Sequence, residues 1–156
     1  MTTPKFFIPV ILLLFTLSCG SAPQEKGSWN DSKIEFSRGS CYGMCPAYSV
    51  TVFGNGKVLY NGYSHTKQGT DSSKISLASV DYLFSTLINN GFLQLQKEYI
   101  NSSIPDLPSV TVTLIHKGST KSVLHTAGMS TAPRWLSDFD YQIDSIVNVE
   151  QWTSQK

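Results

Sequence analysis

The sequence predicts an α+β domain: an antiparallel β-sheet of about four to six strands built from hairpins, with two α-helices packed on one face. Three observations predict it. Two stretches alternate apolar and polar residues around tight turns, two others repeat apolar residues at helical spacing, and no regular strand–helix–strand order signals a parallel sheet. The 156 residues suit one domain. A composition 40 % hydrophobic and 15 % charged excludes a disordered chain. Twelve basic against eleven acidic residues leave no basic excess of the kind nucleic acid requires.

The first strand begins at Lys33, where Ile34 and Phe36 alternate with polar neighbours. After a turn-rich stretch, residues 39–46, Tyr48, Val50 and Val52 share one face. Gly54-Asn55-Gly56 supplies the positive-φ residues of a tight hairpin, and residues 57–63 return with Val58 and Tyr60. Residues 76–90 switch to helical period: Leu77, Val80, Leu83, Phe84, Leu87 and Ile88 form one stripe, with Asp81 on the opposite face. Ser76 suits the N-cap, and Asn90-Gly91 the left-handed stop. A loop with Pro105 and Pro108 leads to a second hairpin, in which Val110, Val112 and Leu114 alternate, residues 117–119 turn, and Val123 and His125 return. The last helix starts near residues 130–133 and ends near Trp152. It carries Leu136, Phe139, Ile143, Ile146 and Val147 inward and Gln142 outward. Leu83, Leu87, Phe139 and Ile143 are the expected heart of the core.

The chain also carries an address. Residues 6–17 form a largely apolar run after Lys5. A dozen residues span roughly 18 Å as a helix, short of the ~30 Å of a bilayer core, so the run reads as an export signal. It ends at Thr16-Leu17-Ser18-Cys19, which resembles a bacterial lipobox, in which the cysteine is lipidated and the signal removed just before it. Thr16 departs from the preferred Leu. The other reading is an ordinary signal cut near Ser21-Ala22. The expected organisation is an export signal over residues 1–18, a lipidated Cys19 and tether over 19–32, and one domain over 33–153.

The densest local signal is Arg38-Gly-Ser-Cys41-Tyr-Gly-Met-Cys45-Pro46-Ala-Tyr48. Together with Gly54-Asn55-Gly56-Lys-Val58-Leu-Tyr60, with Asn90-Gly91-Phe92 followed by Leu95 and Tyr99, and with Lys121-Ser-Val123-Leu-His125, it resembles the 6438 domain-of-unknown-function family, found in bacterial envelope lipoproteins, often of Bacteroidota. The resemblance covers roughly residues 34–152. It implies the fold and the envelope address, and it brings no activity.

Cys41 and Cys45 admit four readings: a structural disulfide across the turn, a redox-active dithiol, half of a metal site completed by His65, His116 or His125, and two buried thiols. The first is preferred, because an exported chain enters a compartment that permits disulfides. Arg38, at the mouth of this turn, reads as an anion contact, as the ion-pair partner of Asp106, or as an ordinary surface arginine at a strand end. Asp106 suits a general base if buried and a turn cap if not. His125 reads as a half-buried strand histidine. Tyr42, Tyr48, Phe53, Tyr60 and Tyr63 gather on the first hairpin, where alternation sends some of them to the face without helices. No nucleophile elbow, phosphate loop or His-Glu-x-x-His pattern occurs in the sequence.

The expectation is therefore a non-enzymatic envelope lipoprotein with no cofactor and no metal. It is held to a membrane by a lipid on Cys19 and has a protein, peptide or glycan partner, with Arg38, Tyr42, Tyr48, Asp106 and His125 as candidate binding residues. The alternative is a thiol-disulfide or metal-dependent enzyme using Cys41 and Cys45.

Overall fold

A computed structural model describes residues 29–101, 103, 106–128 and 131–154. The export signal, Cys19, most of the tether, Pro105 and Ser130 lie outside the described residues. The strands are β1 (Lys33–Arg38), β2 (Ala47–Phe53), β3 (Lys57–Ser64), β4 (Gly69–Lys74), β5 (Glu98–Tyr99), β6 (Ser109–His116) and β7 (Ser119–Thr126). The helices are α1 (Leu77–Asn89), α2 (Arg134–Val147) and a single turn, α3 (Glu150–Thr153), with a 3₁₀ turn at Phe92–Gln94. The strands form one seven-stranded sheet in the order β4-β3-β2-β1-β6-β7-β5.

Both predicted hairpins form, and β1 lies between them, antiparallel to β2 and to β6. The expected strand count of four to six is too low, and the sheet is not wholly antiparallel, since β5 runs parallel to β7. Neither extra strand has an apolar signature. The β4 sequence Gly-Thr-Asp-Ser-Ser-Lys is an edge strand with little to bury, and β5 is only two residues long. Periodicity cannot detect a strand whose inward side chains are polar.

The core lies on one face. Ile34, Phe36, Val50, Val52, Val58, Val112, Leu114 and Val123 point into it, and the stripes of α1 and α2 join the same cluster. Leu83, Leu87, Phe139 and Ile143 are each fully buried. Leu77, in the first turn of α1, is exposed instead. The Ser76 side chain caps α1 by accepting from the Ser79 amide at 3.0 Å.

Three local expectations change. In the first hairpin only Gly56 has positive φ (+85°), whereas Gly54 is demanded by closeness: a Cβ there would lie 1.6 Å from the Trp29 carbonyl oxygen. The final helix does not run unbroken to Trp152. It stops at Asn148 (φ +56°), and α3 then lays Trp152 on Tyr60 with ring centroids 4.5 Å apart. Asp81 and Gln142 are not free polar faces either, since Asp81 accepts from the Trp29 indole at 3.0 Å and Gln142 is half-buried.

Candidate functional site

Where β1 runs into the loop to β2, four adjacent strands place their residues in one row. Register sets Tyr48 and Val110 on either side of Arg38, and His125 beside Val110. Arg38 follows Ile34 and Phe36 at a spacing of two, so it faces the core. Helix α2 packs over this row and presents Asp140 and Asp144, one turn apart.

The Arg38 guanidinium donates to Asp144 Oδ2 from Nε at 2.9 Å and from Nη2 at 2.6 Å. The Tyr48 hydroxyl donates to Asp144 Oδ1 at 2.6 Å. Nη2 also reaches the Asp140 carbonyl oxygen at 3.4 Å. The guanidinium carbon lies 5.2 Å from the centre of the Phe36 ring and 6.0 Å from that of Tyr141, within cation–π range. Deeper in, His125 Nε2 lies 3.3 Å from Asp140 Oδ1, with the two side chains 0 % and 2 % exposed. That contact is outside hydrogen-bond geometry. Both His125 ring nitrogens and Asp140 Oδ1 have no hydrogen-bond partner among the described residues.

Burial dominates the electrostatics. It pushes the Asp140 carboxyl above the usual carboxylate range against the opposing pull of His125 and Arg38. It raises Asp144 against Arg38 and Tyr48. Tyr48 is raised strongly by burial and by the Asp144 charge. Burial works against the Arg38 charge, and Asp144, Tyr48 and Asp140 together more than offset it, leaving Arg38 raised.

Chemically, this arrangement fastens α2 to the sheet. Both oxygens of Asp144 already accept hydrogen bonds, and reaching Asp140 or His125 would require lifting α2 off the sheet. Among the described residues no group of three or more His, Cys, Asp or Glu side chains is placed to hold a metal ion.

Beyond the row, residues 39–46 form a loop closed by a Cys41–Cys45 disulfide. Tyr42 and Met44 stand out from it, 91 % and 83 % exposed. The Gly43 amide donates to Cys41 Sγ at 3.3 Å.

The structure brings three of the candidate residues, Arg38, Tyr48 and His125, into one row. It leaves Tyr42 in the loop and Asp106 exposed elsewhere. Arg38 pairs with Asp144 and not with Asp106, because its strand parity turns it inward. His125 is fully buried, not half-buried. Tyr48 and Tyr60 also point inward, so the expected aromatic surface of the first hairpin shrinks. Asp140 and Asp144 were not among the expected site residues. Their signal is legible in retrospect: two carboxylates at a spacing of four, set inside an apolar helical stripe.

The sequence profile of a domain of unknown function, DUF6438, matches residues 32–147. The chain belongs to the DUF6438 family. No curated protein matches it. The matched span takes in the disulfide loop, the strand row and both carboxylates of α2.

At the opposite end of β1 this DUF6438 domain secures its own entrance. Trp29 to Ser32, which the sequence assigns to the tether, are packed against the domain. The Trp29 ring stacks on Phe84 at 4.9 Å and leans on His116 at 5.0 Å. Ser32 Oγ and His116 Nδ1 are 2.7 Å apart, and the Gly54 amide donates to the Ser32 carbonyl at 2.9 Å. Burial and the charge of Lys117 lower the His116 pKa, which favours the neutral ring. The pairing of Ser32 with His116 spans 84 residues, a separation that no local pattern announces.

Proposed function

We propose that this DUF6438 domain is a non-catalytic binding module of the bacterial envelope, tethered to a membrane through a lipid on Cys19. The address rests on the apolar run ending at Ser18-Cys19. The binding role rests chiefly on the disulfide loop, which holds Tyr42 and Met44 almost wholly in solvent. An exposed aromatic–methionine pair on a stapled loop suits contact with a protein partner, since aromatic residues and Met are enriched at interfaces. The loop lies at the far end of β1 from Trp29, where the chain leaves the tether, and six strand residues span about 20 Å. The domain therefore displays Tyr42 at the end of β1 opposite Trp29.

Two measurements test this. Cys19→Ala should shift the protein from the membrane to the soluble fraction, and a variant that is processed yet stays membrane-bound overturns the lipid anchor. A photo-crosslinking residue at position 42 should trap a defined partner in intact cells, whereas the same probe at the exposed Leu93 should not. Identical adducts at both positions overturn the loop's role.

A second reading, thiol-disulfide exchange at Cys41 and Cys45, has one contact in its favour. The Gly43 amide directed at Cys41 Sγ would stabilise a thiolate after reduction. Titrating free thiols with and without reductant, alongside bound metal, separates the readings. A pair that stays oxidised as isolated and shows no exchange with a dithiol supports the binding module.

A further inference from the structure

The helices seat their buried residues on one face of the sheet, and among the described residues no helix packs on the other face. On β2, β3 and β4 that face carries Ser49, Thr51, Leu59, Asn61 and Thr70, which line a shallow depression of about 230 Å³ together with Tyr60 and Asp71, residues of the opposite strand parity. Tyr63 borders it, 52 % exposed, with its hydroxyl 2.8 Å from Ser49 Oγ. None of the six open-face side chains, Tyr63 included, is a carboxylate, ammonium or guanidinium. The open-face charges of β3 and β4 gather at one end, where Lys57 and Lys74 lie opposite one another. Asp71 borders the depression, but its carboxylate is already engaged, accepting from the Trp152 indole at 2.9 Å and from Lys67 at 2.6 Å.

A sheet face left to water is ordinarily kept soluble by charge, as the Lys33–Glu35 ion pair does on the neighbouring β1, so the hydroxyls around one amide across β2 to β4 call for a reason. The lining decides the ligand class. A phosphate, a nucleic acid or an acidic peptide would need Lys or Arg in the floor. A protein partner would need a buried apolar anchor, and Leu59, 39 % exposed, is the only aliphatic side chain in the floor. Neutral hydroxyls and an amide exchange hydrogen bonds with water for hydrogen bonds with ligand hydroxyls at little desolvation cost. The apolar CH face of a sugar ring finds Leu59 and the Tyr63 ring beside them. The volume falls below the ~300–1,000 Å³ of enclosed small-molecule sites, which suits one or two rings of a longer chain lying along the surface.

We propose that this depression binds a neutral oligosaccharide. The site is separate from the disulfide loop and does not depend on the loop's role. Calorimetric titration of the full mature protein, held in a detergent without sugar groups, with cellotetraose, maltotetraose and chitotetraose tests it. At least one should bind with a millimolar or tighter Kd, unaffected by salt. Asn61→Ala and Tyr63→Ala should each weaken binding at least about fivefold, the scale of one hydrogen bond. Thr70→Val, at the exposed edge strand, should do the same, and Tyr42→Ala should leave affinity unchanged. Absence of binding by all three sugars, affinity unchanged in Asn61→Ala and Tyr63→Ala, affinity that falls with salt, or a dimer in sedimentation that covers this face would each overturn the proposal.

Discussion

Arg38, Tyr48 and Asp144 share one carboxylate, and the Arg38 and Asp144 side chains are 16 % and 18 % exposed. Removing one member leaves a charge largely out of water, so Arg38→Ala or Asp144→Ala should each destabilise by about 3 kcal/mol. Replacing both with apolar residues of similar volume, Arg38→Met with Asp144→Leu, should recover much of that loss. Urea unfolding of Arg38→Met, of Asp144→Leu and of the double variant that combines them measures the coupling, and strict additivity would mean the pair contributes nothing as a pair. The neighbouring carboxylates add a pH dependence whose sign follows from their direction. Asp140 and Asp144 are raised by burial above an ordinary value of 3.8, so the folded chain keeps protons that the unfolded chain has released. Their contribution to stability is full below pH 3.8 and declines as pH rises through the folded values. Asp71 acts oppositely. Hydrogen bonds from Lys67, Ser72 and Trp152 lower it to about 2, so its contribution is present above pH 3.8 and fades as pH falls towards 2. Urea midpoints across this acid range should show Asp140→Asn flattening the decline at the upper end, while Asp71→Asn removes the loss at the lower end. A wild-type profile matched by Asp140→Asn would refute the assignment.

At the scale of elements, helical period does most of the work. The mid-helix stripe residues Leu83, Leu87, Phe139 and Ile143 are each fully buried, and truncating any one to Ala should cost roughly 2–5 kcal/mol. The exposed residues Asn89 and Asp138 serve as controls, and their replacement by Ala should stay within about 0.5 kcal/mol. Thermal unfolding with equal sensitivity at Asp138 and Phe139 would contradict the packing. Asp81 and Gln142 would have been poor controls, although their helical phase points them away from the core. Asp81 holds the Trp29 indole, and Gln142 is partly covered with a buried side-chain oxygen. Phase tells which way a side chain points from its own helix, not what another segment lays over it. The same gap hid β4 and β5: pairing with β3 and β7 makes them strands, whereas their own residues carry no alternation. The helix end at Asn148 escapes helical period for a related reason. Residues 134–152 keep an apolar stripe, and a single left-handed residue interrupts it.

For the molecule as a whole, a central β1 joins two poles. One pole holds Trp29 and Ser32 against Phe84, His116 and Gly54, and the other carries the disulfide loop and the seam that fastens α2 to the sheet. Among the described residues the sheet separates an apolar face sealed by helices from a polar face without them, so the sites proposed for a protein partner and for a sugar do not overlap. The sequence alone determined the α+β class, both hairpins, the two long helices, their buried stripes and the family. Each depends on spacing within a dozen or so residues, and hydrophobic period, turn residues and caps act over that range. Only the tertiary structure decided what the polar residues do. Arg38 meets Asp144 across 106 positions of chain, and Trp29 meets Asp81 across 52. Which carboxylate a buried arginine finds depends on where a helix lands on the sheet, and that is set by the packing of every stripe at once.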